Sequence, residues 1–299
     1  MRLVFFGTAE FAVPALRRLA PSIVLVVSQP DRPSGRGLRL TPSPVKQVAL
    51  EFGLPVETPE KSRAAEFVSL LHDMEPDAQI VAAYGQILSQ SVLDSGKQGS
   101  INLHGSILPK YRGAAPIQRA ILEGESETGV TLMQMDRGMD TGDMIDVVRT
   151  PIGPDETYGQ LQERLADLSA DLVGMWIERI ARGDYPRTPQ DHDLATYAPK
   201  ITKAEAELRF DMPADEAYRR FRAFTPAPGA FIKTSLGLIR IRQANRGESF
   251  GDPGTLSAAD ELSFVDGSLK LIEIQPEGKK PMSLRDFANG HRLRVGDPL

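Results

Sequence analysis

Asn102 and His104 stand two residues apart at the end of a short apolar run, in the segment SINLHGSILPKYR. On a strand, alternate residues face the same way, so an amide and an imidazole would project together. Two hydrogen-bond donors aimed at one point suit the oxyanion that forms when a nucleophile adds to an acyl-type carbon. Such a site needs no serine or cysteine nucleophile and can pass its group directly to an external amine. Further along, MDRGMDTGDMI places Asp136, Asp140 and Asp143 within a Gly-rich bend. One of the three carboxylates could hold the imidazole, favouring its protonated form by charge pairing and fixing its orientation. Taken alone, Asn-x-His on a strand is more often two polar groups that only satisfy neighbouring backbone.

The pair needs a frame. Pro109, Gly113 and Pro116 break regular structure just beyond it, which predicts a strand end beside a loop, where open parallel sheets carry their chemistry. Apolar runs predict a first strand from Leu3 to Phe6 and others at 23–27, 78–82, 100–103, 129–135 and 144–148. Helical spacing follows Phe11, resumes near Val45, and recurs over 63–73 and 157–182. Strands alternating with helices imply an α/β domain with a mainly parallel sheet. GTAEFA has one glycine, so the Gly-x-Gly-x-x-Gly of a dinucleotide site is missing. A polar, proline-bearing stretch follows; four short strand patterns at 230–234, 238–243, 262–265 and 269–275 come after it, behind a helix at 213–223. They predict a small β-barrel of the oligonucleotide-binding type or a sandwich, which periodicity alone does not separate. The expected organisation is a catalytic domain over 1–183, a linker over 184–203 and a β domain over 204–299.

With 299 residues the chain can form one large domain or two of ordinary size. The net charge of −5 argues against a general nucleic-acid coat, but it is uneven: residues 201–299 carry 15 basic and 14 acidic groups. Arg32, Arg36, Arg39 and Lys46 are opposed locally only by Asp31 in a long irregular loop, QPDRPSGRGLRLTPSPVK, which reads as a solvated loop or as a patch for RNA. No run of about 18 apolar residues occurs, so no membrane span is expected. Glu10 and Arg17-Arg18 interrupt the apolar N-terminus before it could serve as a signal peptide, and the chain has no cysteine; both fit a cytoplasmic protein. His72, His192 and His291 read as solvated, no paired-ligand spacing suggests a metal, and the absence of a long apolar seam predicts a monomer.

INLHGSILPKYRGAAPIQRAI followed by ETGVTLMQMDRGMDTGDMI closely resembles the signature of the folate-dependent formyltransferases. That resemblance implies a Rossmann-like formyltransferase domain, and a catalytic set of Asn102, His104 and the aspartate of the D-T-G segment, Asp140. It also implies 10-formyltetrahydrofolate as formyl donor, with no metal. By the same match Ala83, Tyr84, Gly85, Gln86, Ile87 and Leu88, with Ser106, Leu108, Pro109, Thr141 and Gly142, would form the folate pocket, backbone groups holding the pterin-like ring. PDRPSGRGLRLTPSPVK is similar to the loop inserted in the branch of this family that acts on tRNA. The likeness implies that Arg36 enters the acceptor-stem major groove, that Arg32, Arg39 and Lys46 also bind the tRNA, and that initiator methionyl-tRNA accepts the formyl group on its α-amine. YAPKITKAEAELRF and IQPEGKKPMS resemble that branch's linker and its barrel-like, tRNA-binding C-terminal domain, whereas the short tail HRLRVGDPL departs from it. The same chemistry with an amino-sugar nucleotide or water as acceptor, and an RNA-binding protein without catalysis, are the competing readings.

Overall fold

The structure, a computed structural model, describes residues 1–34 and 39–299. It contains two compact units: residues 1–116, 127–151 and 162–199 form the first, and residues 117–126, 152–161 and 200–299 the second.

The first unit is built on a seven-stranded sheet. Its chain runs through β1 (Leu3–Gly7), β2 (Ile23–Val27), the short β3 (Arg32–Ser34) and β4 (Arg39–Thr41), then β5 (Val56–Glu57) and β6 (Ala78–Ala82). β7 (Ser100–His104), β8 (Arg112–Gly113), β9 (Glu127–Gln134), β10 (Met144–Pro151) and β11 (Tyr197–Ala198) follow. The main sheet has the order β10-β9-β7-β6-β1-β2-β5, and only β9 runs against the others. LVFFG and IVLVV are apolar on both alternating faces because a central parallel strand is covered on both sides. Below one face, Val4, Phe6, Leu25, Val27, Phe67, Leu71, Val81, Tyr84 and Val92 make a continuous core. Gln79 is fully buried in β6, and its amide is satisfied by donating to the Val92 carbonyl (2.9 Å) and accepting from the Ser100 hydroxyl (3.0 Å).

Strand order decides where a ligand can enter. The chain starts at β1, steps outward through β2 to β5, then returns to β6 on the other side of β1. Connections therefore diverge between β1 and β6, and a crevice opens at the carboxyl ends of these strands. The segment 184–199, expected as linker, makes specific pairings: β11 runs parallel to β8, and Thr188 bridges to Met144. The irregular loop after β2 contains a short antiparallel pairing, β3 with β4, and a helix at Pro44–Glu51.

The second unit carries the expected small antiparallel domain. β12 (Phe231–Thr234), β13 (Gly237–Arg246), β14 (Leu256–Ala258), β15 (Glu261–Ser263) and β16 (Ser268–Pro276) pair in the order β12-β13-β16-β15-β14. Ile239 and Ile241 of β13 are buried while Arg240 and Arg242 are exposed, the alternation of a sheet with one wet face. Two stretches from earlier in the chain, 117–126 and 152–161, complete this unit. Asp155 accepts from the Tyr218 hydroxyl (2.9 Å), the Leu122 carbonyl accepts from Arg219 Nε (3.2 Å), and Arg246 stacks over Tyr218 at 4.4 Å. Such pairs are remote in sequence, so periodicity gives no sign of them.

Glu261 ties the loop after β13 to the sheet. Its Oε2 accepts from the Ser249 and Ser268 hydroxyls and from the amides of Glu248 and Ser249. Burial opposes its ionisation, but these four donors outweigh it and bring the carboxyl down to about 2. A carboxylate depressed on folding stabilises above its unfolded pKa and loses that contribution as pH falls toward the folded value. Glu261→Gln should therefore lower stability by about 1 kcal/mol at neutral pH, the partial exposure reducing the usual charged-bond figure. The gap between variant and parent should narrow from about pH 4.5 toward pH 2 in denaturant titrations, because protonation removes the same charge from the parent.

Candidate active site

β7 delivers Asn102 and His104 from adjacent same-face positions, both nearly sealed from solvent at 9% and 5% exposure. The bend between β9 and β10 leaves beside the start of β7, where the Met135 amide donates to the Ser100 carbonyl, and brings Asp140 over the Asn102–His104 face. Asp140 Oδ1 accepts from Asn102 Nδ2 at 3.4 Å, and Oδ2 lies 3.6 Å from His104 Nδ1. The same Oδ2 accepts from the backbone amide of Gly113 at 2.8 Å. The other His104 nitrogen, Nε2, meets the Tyr111 carbonyl at 2.9 Å. Acceptors therefore face both ring nitrogens, and only the imidazolium can donate to both.

The three aspartates of the bend take different roles. Asp136 builds the turn, its Oδ1 accepting from the Gly138 amide (2.9 Å) and the Thr141 hydroxyl (2.6 Å). Asp140 alone of the three has a recorded contact with Asn102 or His104. It does so from a left-handed backbone at φ 54°, and Tyr111 (φ 61°) and Ala83 (φ 43°) are left-handed too. Such conformations cost roughly 1–3 kcal/mol each and persist where surrounding contacts over-determine them.

The expected folate residues fall in three places around the sheet. Ala83–Leu88 leaves the carboxyl end of β6 at the crevice, with Tyr84 and Leu88 turned into the core. The Tyr84 carbonyl is engaged by the Thr8 hydroxyl (2.8 Å) and Gln29 Nε2 (2.9 Å). Gln86 reaches the 59–62 segment, accepting from the Ser62 amide and donating to the Pro59 carbonyl, while the Ile87 side chain is 90% exposed. Gly85 sits at φ +84° against the Gln29 amide, a conformation and a closeness that exclude a Cβ. Ser106 and Leu108, after β7, are buried and fixed to Thr131, and Pro109 follows them. Gly142 is buried and Thr141 partly so beside Asp140.

Of the expected tRNA contacts, Arg32 and Arg39 are exposed on β3 and β4, and Arg36 lies outside the described residues. Lys46 is engaged by Asp31 at 2.8 Å. Residues that spacing did not single out support the site from behind. Arg112 and Gln190 are almost wholly buried, and Arg112 donates through Nε and Nη2 to Gln190 Oε1 (3.1 and 2.7 Å). Arg112 Nη2 also meets Nδ1 of His192, which was expected only as a solvated side chain. A basic residue inside YRGAAP next to the Asn-x-His segment was the available signal for Arg112; nothing local marked Gln190.

Comparison with known proteins agrees with this geometry. The family model described as Formyl transferase matches residues 1–174, and the one described as Formyl transferase, C-terminal domain, matches residues 200–292. The chain belongs to the formyl transferase family. A relative from Symbiobacterium thermophilum, named methionyl-tRNA formyltransferase, is 44% identical over 99% of this chain and 94% of its own. Among solved structures, HypX from Aquifex aeolicus superposes with a TM-score of 0.70 at 18% identity; it covers all of this chain, which spans 49% of HypX. An N-formyltransferase from Helicobacter canadensis, solved with folinic acid and dTDP-3-aminofucose, superposes with a TM-score of 0.64 at 21% identity, over 92% of this chain and 98% of its own. These last two likenesses concern the fold.

The Tyr84 hydroxyl is buried without a hydrogen-bond partner among the described residues, and burial pushes it up to about 12. Its ring packs edge-on against Phe6 at 5.3 Å. Removing an unsatisfied buried hydroxyl while keeping the ring should leave stability unchanged or raise it by about 1 kcal/mol. Thermal unfolding of Tyr84→Phe checks this; a clear loss of stability would show that the hydroxyl has a partner.

Proposed function

We propose that this chain transfers the formyl group of 10-formyltetrahydrofolate to the α-amino group of methionyl initiator tRNA, producing N-formylmethionyl-tRNA for translation initiation. The observation that carries the chemistry is Asp140 with one carboxylate oxygen on Asn102 and the other beside His104. The acceptor comes from the full-length likeness to methionyl-tRNA formyltransferase. The protein works in the cytoplasm, as a monomer and without a metal.

The residues at the crevice fit a folate. A flat ring held by main chain needs a segment whose side chains turn elsewhere. Tyr84 and Leu88 point into the core, and Gln86 is tied to the 59–62 segment. Ala83–Leu88 then offers backbone, while Ser106, Leu108, Pro109, Thr141 and Gly142 shape the remaining wall.

The amine attacks the formyl carbon, a C–N bond forms, and the carbonyl oxygen becomes an oxyanion. Asn102 donates to it through the amide hydrogen not on Asp140, and His104 donates through Nε2 by giving up its bond to the Tyr111 carbonyl. Asp140 keeps the imidazole charged and oriented, and takes part in moving the amine's proton toward the folate nitrogen. The bond from the formyl carbon to that nitrogen breaks, and tetrahydrofolate leaves with the nitrogen protonated. On the tRNA side, Arg36 reads the acceptor stem, with Arg32 and Arg39 at the phosphates. Lys46 contributes after leaving Asp31 or through the charge of the pair's surroundings.

Asn102→Ala should lose about 100- to 1000-fold in kcat, the usual cost of one oxyanion donor. The measurement is transfer of labelled formyl to initiator Met-tRNA, with elongator Met-tRNA, an amino-sugar nucleotide and water in parallel. Label on the sugar, or formate released in every tube, would overturn the acceptor. Arg36→Ala should keep folate binding and lose most discrimination between initiator and elongator Met-tRNA; unchanged discrimination would remove that residue from the reading.

A further inference from the structure

Asp140 holds its position from a left-handed backbone at the tip of a Gly-rich bend, which Asp136 braces from within and the Asp140 carboxylate ties to Asn102 and Gly113. A further contact comes from 50 residues away in sequence. Gln190 Nε2 donates to the carbonyls of both Asp140 (2.9 Å) and Gly142 (2.7 Å), the two peptide groups that flank the D-T-G turn. Its amide cannot be turned round. Arg112 has only donors, and two of them reach Gln190 Oε1, so the oxygen faces the guanidinium and the NH2 faces the bend. Gln190 and Arg112 are 5% and 2% exposed, so their mutual contact lies in the interior.

Arg112 also ties this contact to the carboxylate. The next residue, Gly113, supplies the amide on Asp140 Oδ2, and Arg112 N donates to the Thr196 carbonyl where β8 meets the 190s segment. One strand thus orients the Gln190 amide with its side chain and the Asp140 carboxylate with its backbone. Backbone and side chain of Asp140 are located by the same few residues, at the 3.4 and 3.6 Å separations from Asn102 and His104 where small shifts decide whether a bond forms.

We propose that Gln190, held by Arg112, is a positioning residue for formyl transfer: its two donors set the D-T-G turn and thereby the alignment of Asp140 with His104 and Asn102. The link to turnover rests on the function proposed above; the alignment itself does not. Gln190 acts through the turn, so its removal lowers kcat; Thr141 and Gly142 of the same turn belong to the proposed folate wall, so KM for the folate rises as well, by less than kcat falls.

Two variants separate donor loss from misfolding. Gln190→Glu keeps the length and both Arg112 bonds but, ionised beside the guanidinium, has no hydrogen to give the two carbonyls. Gln190→Met keeps the length and removes both polar functions. Amide hydrogen exchange followed by NMR reads Gly113, whose bond to Asp140 reports the alignment, against Leu103 in the middle of β7. The expected result in both variants is at least about tenfold faster exchange at Gly113 with Leu103 unchanged. Formyl transfer to initiator Met-tRNA should show kcat reduced by about 10- to 100-fold, as displacement of a catalytic group by up to an ångström costs, with a smaller rise in KM for 10-formyltetrahydrofolate. Unchanged exchange at Gly113 in a folded variant overturns the alignment. Faster exchange with unchanged kcat overturns the positioning role. A parent protein without turnover on any acceptor overturns the proposed function instead, and the exchange experiment still decides the alignment.

Discussion

The site depends on a single carboxylate shared by three donors. Asp140 meets the Asn102 amide, the His104 ring and the Gly113 backbone amide, and these come from two strands separated by a proline-containing loop. A carboxylate with one donor rotates; one with three donors has its plane fixed, and an imidazole placed against a fixed anion is fixed in turn. The left-handed residues at Asp140 and Tyr111 follow from the same requirement, because an ordinary turn would not bring Oδ2 and the Tyr111 carbonyl to the two ends of one ring. Of the left-handed non-glycine residues, Asp140, Tyr111 and Ala83 lie at the candidate site, whereas Glu75 and Arg292 end helices.

The parallel sheet supplies rigidity. β7 is buried along its whole length and paired on both sides, by β6 and β9, so Asn102 and His104 are presented from an interior strand. Crevice residues 83–88 occupy the position that strand order predicts for a ligand. Position and reactivity are divided between different parts of one sheet: the crevice beside β1 and β6 has exposed backbone, and β7 has the polar side chains.

Much of this was legible in the chain itself. β2 and β6 have the limits that their apolar runs suggested, and β1, β7 and β10 differ by a few residues at their ends. Alternation in β7 placed Asn102 and His104 on one face before any tertiary contact was known. Spacing could not choose among Asp136, Asp140 and Asp143, because the choice depends on how a Gly-rich bend folds back; geometry puts Asp140 on the pair and Asp136 in the turn. β8, β11 and the contact from Gln190 were invisible for a plain reason: two-residue strands have no periodicity, and a glutamine in a polar, proline-rich stretch looks like every other solvated glutamine. The proposed folate residues and the proposed role of Arg36 came through resemblance alone, since neither AYGQIL nor QPDRPSGRGLRLTPSPVK has a periodicity that marks a ligand.

The make-up of the second unit bears on how the chain is synthesised. That unit includes residues 117–126 and 152–161, which emerge before the helix Ala214–Phe224 and the strand β13 whose side chains they meet. Asp155 must wait for Tyr218 and Arg246, and the Leu122 carbonyl for Arg219. A ribosome making this protein therefore leaves two short segments without their partners until nearly a hundred further residues are finished, so neither unit can close as a simple N-terminal or C-terminal block. Any division of the chain near residue 199 would separate a small sheet from the two strips of chain that satisfy its buried polar groups.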